Sequence, residues 1–223
     1  MNKILFDLDG TLTNPFLGIT KSVQYSLKSF GIEVTDLGDL KVFIGPPLVD
    51  SFQEYYHMNN EDSLKAVDKY REYYRDKGIF ENEVYQGIES MLKDFVDQGK
   101  ELYVCTSKPV VFAREILQYF HLDHYFKGIY GSELDGTRNA KGEVIAYCLQ
   151  QEHLDSHDCI MVGDRKHDII GAHENEIPCI GVLFGYGSRE EFQEYDCDYI
   201  VSHIEELKST IEMLSKESVK YSK

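Results

Sequence analysis

Two aspartates one residue apart, Asp7 and Asp9, follow the apolar run Ile4-Leu5-Phe6 in the stretch FDLDGTLT, residues 6–13. Like charges this close repel, and partial burial worsens the repulsion by desolvating both. Either the pair sits in a solvated turn or something positive offsets it. Three further clusters have the same character: Thr106-Ser107-Lys108 after LYVC, Lys141 ahead of GEVIAYCL, and Gly163-Asp164 with Asp168 four residues on, in MVGDRKHD. Singly, each has an ordinary reading. D-x-D also occurs in metal-dependent glycosyltransferases and in wet turns, and Thr-Ser caps helices. A lone lysine is commonly surface charge, and Gly-Asp commonly makes turns.

Together the clusters describe one chemistry. Asp7, Asp9 and Asp164 gathered in one pocket cannot all stay ionised without a cation, and oxygen-only donors favour a hard ion such as Mg²⁺. An ammonium group with strand-end hydroxyls and N–H groups completes a pocket that holds phosphate. No GxxxxGK[ST] loop is present, which excludes nucleotide hydrolysis by a P-loop.

The elements that must position these residues are short apolar runs alternating with helix-period segments. Strands are expected at 3–6, 101–105, 128–130, 159–162, 179–183 and 199–201; most are continuously apolar, which suits a parallel sheet buried on both faces. Residues 88–99 place Ile88, Met91, Leu92, Phe95 and Val96 at helical spacing, with Gly99 as terminator. Segments 110–121, 141–153 and 166–175 also read as helices. The alternation predicts an α/β fold with a doubly wound, Rossmann-like parallel sheet, whose ligand site lies at the carboxyl ends of the strands. All four clusters fall at those ends. Residues 16–82 differ: they hold helical segments at 18–30 and 62–75 and no strand. The expected division is therefore a core of 1–15 plus 83–223 and an inserted helical cap of 16–82. Helix 62–75 is expected to set Leu64, Val67 and Tyr74 near one face with charges filling the rest, and the terminal SKESVKYSK to fray.

Composition narrows the partners. The net charge of −16 disfavours nucleic acid and anionic membrane as ligands, and no apolar run reaches the ~18 residues of a bilayer span. The first apolar run meets aspartate within a few residues, unlike a signal peptide. Five cysteines without CxxC spacing read as free thiols, with Cys105, Cys159 and Cys179 as small core residues. A reduced, cytoplasmic, soluble protein is expected, monomeric or dimeric.

The four clusters, in this order and spanning Phe6 to about Gly187, resemble the signature motifs of the haloacid dehalogenase-like hydrolase superfamily. FIGPPL, residues 43–48, and the insert's position resemble its phosphoglycolate phosphatase and 5′-nucleotidase group. The resemblance implies a Mg²⁺-dependent phosphomonoester hydrolase acting on a small phosphorylated metabolite. It implies Asp7 as nucleophile, forming an aspartyl-phosphate, and Asp9 as general acid and then base. It implies that Thr106, the Ser107 N–H and Lys141 hold the transferring phosphoryl group. Mg²⁺ would be held by Asp7, the Asp9 main-chain carbonyl and Asp164, with Asp168 acting through water or orienting Lys141. The Thr11 hydroxyl can fix the turn carrying Asp9, or Thr11 is simply a residue of that turn. Gly45, Pro46 and Arg71 are candidate readers of the leaving group, with Pro47, Tyr55, Tyr70, Tyr74 and Arg75 beside them. Because Asp9 is present, dehalogenation is disfavoured. A phosphosugar mutase shares the whole core and stays open, as does a receiver-like phospho-signalling module, which would turn over once.

Overall fold

A computed structural model describes residues 1–221, with side chains as far as Lys216. Two compact units are present: Met1–Leu12 with Val84–Lys223, and Thr13–Glu83. In chain order the elements begin with β1 (Lys3–Phe6), β2 (Thr13–Asn14), α1 (Phe16–Ser29), α2 (Leu48–Tyr56), α3 (Asn60–Asp76) and β3 (Glu83–Val84). They continue with α4 (Ile88–Asp97), β4 (Glu101–Pro109), α5 (Val110–Tyr119), β5 (Gly128–Ser132), α6 (Lys141–Glu152), β6 (Cys159–Gly163) and α7 (Lys166–Glu174). The last are β7 (Cys179–Val182), α8 (Arg189–Glu194), β8 (Tyr199–Val201) and α9 (Ile204–Tyr221).

The larger unit is a parallel sheet in the order β5-β4-β1-β6-β7-β8. Counted along this unit alone, that is the doubly wound order 3-2-1-4-5-6, and the direction of winding reverses beside β1. The apolar runs are buried throughout β6 and β7, as strands covered on both faces require. Leu5, Tyr103, Cys105, Val144, Cys148, Met161, Ile169 and Cys179 form one apolar core between sheet and helices. The cysteines are free and, except half-buried Cys197, fully buried. Helix α4 buries Ile88, Met91, Leu92 and Phe95 and leaves Val96 at the rim; Gly99, at φ +77°, ends the turn that follows it. Among the described residues no helix is long and apolar enough to cross a membrane.

The structure departs from two expectations. Helix α3 buries Ser63, Ala66, Val67, Tyr70 and Tyr74, whereas Leu64 is 49% exposed. The buried stripe runs through small residues because α1 comes close: Ser26 Oγ donates to the Ala66 carbonyl at 2.7 Å. Most of the chain end expected to fray continues α9 through Tyr221, seated by Leu207, Ile211 and Leu214 at i, i+4, i+7; residues 222–223 lie outside the described residues.

The inserted unit has its own interior. Phe43 meets Phe52 edge-on at 4.9 Å between centroids, and Tyr70 stacks on Tyr74 at 5.2 Å. Within it Ser22 Oγ donates to the Gly18 carbonyl at 2.5 Å. Helix α1 lies so close to Gly78 that a Cβ on Gly18 would stand 1.9 Å from the Gly78 carbonyl oxygen.

Candidate active site

Three adjacent strands, β4, β1 and β6, end in polar residues at one sheet edge, and the first turns of α6 and α7 add Lys141 and Asp168. The Asp7 N–H still donates to the Val162 carbonyl at 2.9 Å, so the β1–β6 ladder persists to the first carboxylate. Gly10 then takes φ +84°, and a Cβ there would lie 2.1 Å from Asp164 Oδ2. Only glycine lets this turn close over the acid beneath it. A Cβ on Gly163 would likewise fall 2.1 Å from Asp168 Cγ.

Lys141 is the hub. Its ammonium lies 2.8 Å from Asp7 Oδ1 and 2.7 Å from Asp168 Oδ1, and donates to the Cys105 carbonyl at 3.0 Å. Asp7 Oδ1 also accepts from the Leu8 N–H at 2.7 Å. Asp168 has a second duty: its Oδ2 accepts from the N–H groups of Asp164 at 3.1 Å and Arg165 at 3.0 Å, closing the first turn of α7. Asp164 Oδ2 accepts from the Tyr186 N–H at 2.8 Å, while its Oδ1 is buried without a partner. Asp9 stands apart from this hub. Its Oδ2 pairs with Lys108 Nζ at 2.5 Å, and its Oδ1 is buried and unpartnered.

The electrostatics follow from burial. Desolvation raises the Asp164 carboxyl well above the usual range, and Asp168 and Asp7 add to the shift. Burial pushes Asp168 up to about 6 against the pull of Lys141, and raises Asp9 against Lys108. Burial pulls on the Lys141 ammonium too, but Asp168 and Asp7 together hold it above its ordinary value. His167, desolvated and beside Arg165, is pushed down to about 4 and is neutral at pH 7. A site that holds so much negative charge away from water fits a hard divalent cation. Carboxylate oxygens of Asp7, Asp164 and Asp168 lie within 4.8 Å of one another, all buried, and one Asp164 oxygen lacks any partner.

Asp7, Asp9, Thr106, Lys141, Asp164 and Asp168 are all buried at this sheet edge. Thr106 and Ser107 differ from expectation in their local structure: β4 does not end at Cys105 but runs through them to Pro109, with a register shift between Thr106 and Pro109. That irregularity re-aims the strand's last side chains. Thr106 Oγ1 accepts from the Lys108 N–H at 3.3 Å, and the Ser107 carbonyl accepts from Ser132 Oγ at 2.8 Å. Thr11 differs as well: its hydroxyl is buried with no hydrogen-bond partner, so it does not fix the turn. That turn is closed by backbone, the Leu12 N–H donating to the Leu8 carbonyl at 2.9 Å.

Gly45, Pro46 and Arg71 belong to the inserted unit. Gly45, at φ +104°, leads with Pro46 into α2, and Arg71 Nη1 lies 3.9 Å from Asp68 Oδ1. Tyr70 and Tyr74 are interior packing of that unit.

Lys108, Tyr85 and Tyr186 belong to the site although their residue types and spacing assign them no role in it. The phenols of Tyr85 and Tyr186 hydrogen-bond each other, and burial raises both, followed for Tyr85 by Asp164 and Asp9 and for Tyr186 by Tyr85, Asp9 and Asp164. Tyr85 also meets Phe184 edge-on at 5.3 Å. The usable signal for Lys108 was its place two residues beyond Thr106 at a strand end.

The model of the family described as "Haloacid dehalogenase-like hydrolase" matches residues 4–182. A "5′-nucleotidase" of Pseudomonas aeruginosa is 47% identical over 209 residues, covering 94% of this chain and 95% of that protein. A solved structure of a predicted phosphatase from Clostridium acetobutylicum superposes with TM-score 0.93 at 50% identity, over 94% of this chain and 97% of that one. The "Tyrosine-protein kinase PtkA" of Mycobacterium tuberculosis is 35% identical over 212 residues, covering 93% of this chain and 72% of that protein.

Proposed function

From the premise that this chain belongs to the haloacid dehalogenase-like hydrolases and is a phosphatase, we propose that it hydrolyses nucleoside 5′-monophosphates through a phosphoryl group carried on Asp7. The Asp7 carboxylate attacks phosphorus, and the P–O bond to the leaving alcohol breaks as Asp9 gives that oxygen its proton. Asp9, now a carboxylate, takes a proton from water. That water attacks the aspartyl-phosphate, releasing inorganic phosphate and restoring Asp7. Thr106, the Ser107 N–H and Lys141 hold the phosphoryl oxygens as charge builds on them.

Mg²⁺ belongs at Asp7, Asp164 and the Asp9 main-chain carbonyl, with Asp168 steadying both Lys141 and the peptide that carries Asp164. When bound it neutralises the carboxylates and the phosphoryl oxygens. The observation that carries this reading is the unequal treatment of two buried acids. Asp7 has an oxygen pinned at 2.7 Å by the Leu8 N–H and at 2.8 Å by Lys141, while Asp9 keeps one buried oxygen unpaired. One is held as a nucleophile must be, and the other is left able to exchange a proton.

The choice of nucleotide over phosphoglycolate rests on the relative named 5′-nucleotidase, at 47% identity. The test is a panel of phosphomonoesters with released phosphate as readout: several nucleoside 5′-monophosphates, phosphoglycolate and hexose phosphates, each with Mg²⁺. Nucleotides are expected to lead in kcat/KM. A lead for phosphoglycolate would overturn the substrate, and isomerised hexose phosphate without release would make the chain a mutase. A single turnover per chain would make it a receiver-like module, and phosphate passed to protein tyrosine a kinase. Arg71→Ala in the same panel asks whether the inserted unit reads the leaving group.

A further inference from the structure

Lys108 is a buried cation that the proposed chemistry does not use. Its side chain is 7% exposed and meets an Asp9 side chain that is 9% exposed, across 99 residues of sequence. The other buried ammonium of the site is already committed to Asp7, Asp168 and the Cys105 carbonyl. We propose that Lys108 is the positioning residue for the proton carrier: it anchors Asp9 Oδ2, so that Oδ1 is the oxygen that exchanges the proton. The inference rests on the reading of Asp9 as acid and base.

A carboxylate swings about its Cβ–Cγ bond, and its two oxygens are otherwise equivalent. A strong charge-assisted contact at one oxygen removes that freedom and fixes where the second can be. The unpartnered oxygen here is that second one, Oδ1. The anchor is itself held, because the Lys108 N–H donates to Thr106 Oγ1 at 3.3 Å. The irregular end of β4 therefore carries a phosphate-binding hydroxyl and the anchor of the proton carrier in one piece of chain. A misplacement of about 1 Å in such a group costs on the order of 10²-fold in rate.

The test separates positioning of a proton donor from binding of phosphate. A poor, alkoxide leaving group needs a proton as it departs, whereas para-nitrophenolate does not. For Lys108→Met we expect kcat/KM to fall by about 10²-fold on the best alkyl phosphate of the panel, and to stay nearly unchanged on para-nitrophenyl phosphate. Asp9→Asn should show the same dependence on leaving group, and the double variant should be no worse than Asp9→Asn alone. An equal loss on both esters would make Lys108 a phosphate ligand and overturn the proposal, as would full activity on the alkyl ester. If Asp9→Asn itself loses equally on both, the reading of Asp9 has failed rather than the anchor. Should the methionine variant not fold, the alkyl-to-aryl ratio of Lys108→Arg, which keeps the charge but changes its reach, answers the same question. A lowered ratio supports the anchor, and an unchanged one with both esters reduced contradicts it.

Discussion

The carboxyl edge of the sheet and the interior of the inserted unit are both buried, yet they are built from opposite materials. The inserted unit fills its interior with Phe43, Phe52, Tyr70 and Tyr74 and keeps ion pairs such as Lys65–Glu61 and Lys69–Glu72 outside, each partner at least 45% exposed. Exposed pairs of that kind contribute little to stability. The sheet edge does the reverse. Four buried carboxylates, Asp7, Asp9, Asp164 and Asp168, face two buried ammonium groups, Lys108 and Lys141. The cluster is left with a formal excess of two negative charges. Removing one partner of a buried pair costs about 3–5 kcal/mol, so an excess of this size is a poor way to stabilise a fold. It marks a place where stability is traded for chemistry.

Substitutions can break this contrast. The largest effect is expected from Asp7→Asn, which should cut kcat by about 10⁴-fold or more while the circular dichroism spectrum stays that of the folded parent; undiminished turnover would remove the nucleophile. EDTA should silence the parent and Mg²⁺ restore it. Mg²⁺ at 100 times its Kd should also stabilise the fold by about 2.7 kcal/mol, a shift that Asp164→Asn abolishes. In the inserted unit Phe52→Ala, at a fully buried ring, should cost about 3–5 kcal/mol in denaturant unfolding. A smaller effect, and of opposite sign, is expected for Asp164→Asn in EDTA. Relief of the excess charge should stabilise the metal-free protein by about 1–2 kcal/mol even as activity is lost. A destabilised Asp164→Asn would show that the cluster is neutralised within the fold. The smallest effect belongs to Lys65→Gln, which should leave Tm unmoved.

Much of the fold is legible because buried parallel strands need continuous apolar runs, and such runs are visible one at a time. The convergence of Asp7, Thr106, Lys141 and Asp164 is legible for a related reason: strands of a parallel sheet share one carboxyl edge, so clusters at strand ends must meet. What could not be read depends on register and close approach. Lys108 meets Asp9 from the irregular end of β4, where the register shifts between Thr106 and Pro109; a strand pattern does not show which side chain such a shift turns toward the site. Leu64 misleads because the tight face of α3 is lined by Ser63 and Ala66, chosen for size rather than for hydrophobicity. Thr11 misleads in another way: a hydroxyl next to a turn suggests a bond that the backbone has already made. The seat of α9, by contrast, is spelled out at helical spacing by Leu207, Ile211 and Leu214.

On the proposed mechanism the under-neutralised sheet edge lets Asp7 accept a phosphoryl group. The most direct test is rapid acid quench of the Mg²⁺-loaded enzyme during turnover of a preferred phosphomonoester, followed by mass mapping of protein-bound phosphate. Transient phosphate is expected on the peptide containing Asp7 and is expected to be absent from Asp7→Asn. Steady product release with no phosphate on that peptide at any time would contradict the mechanism.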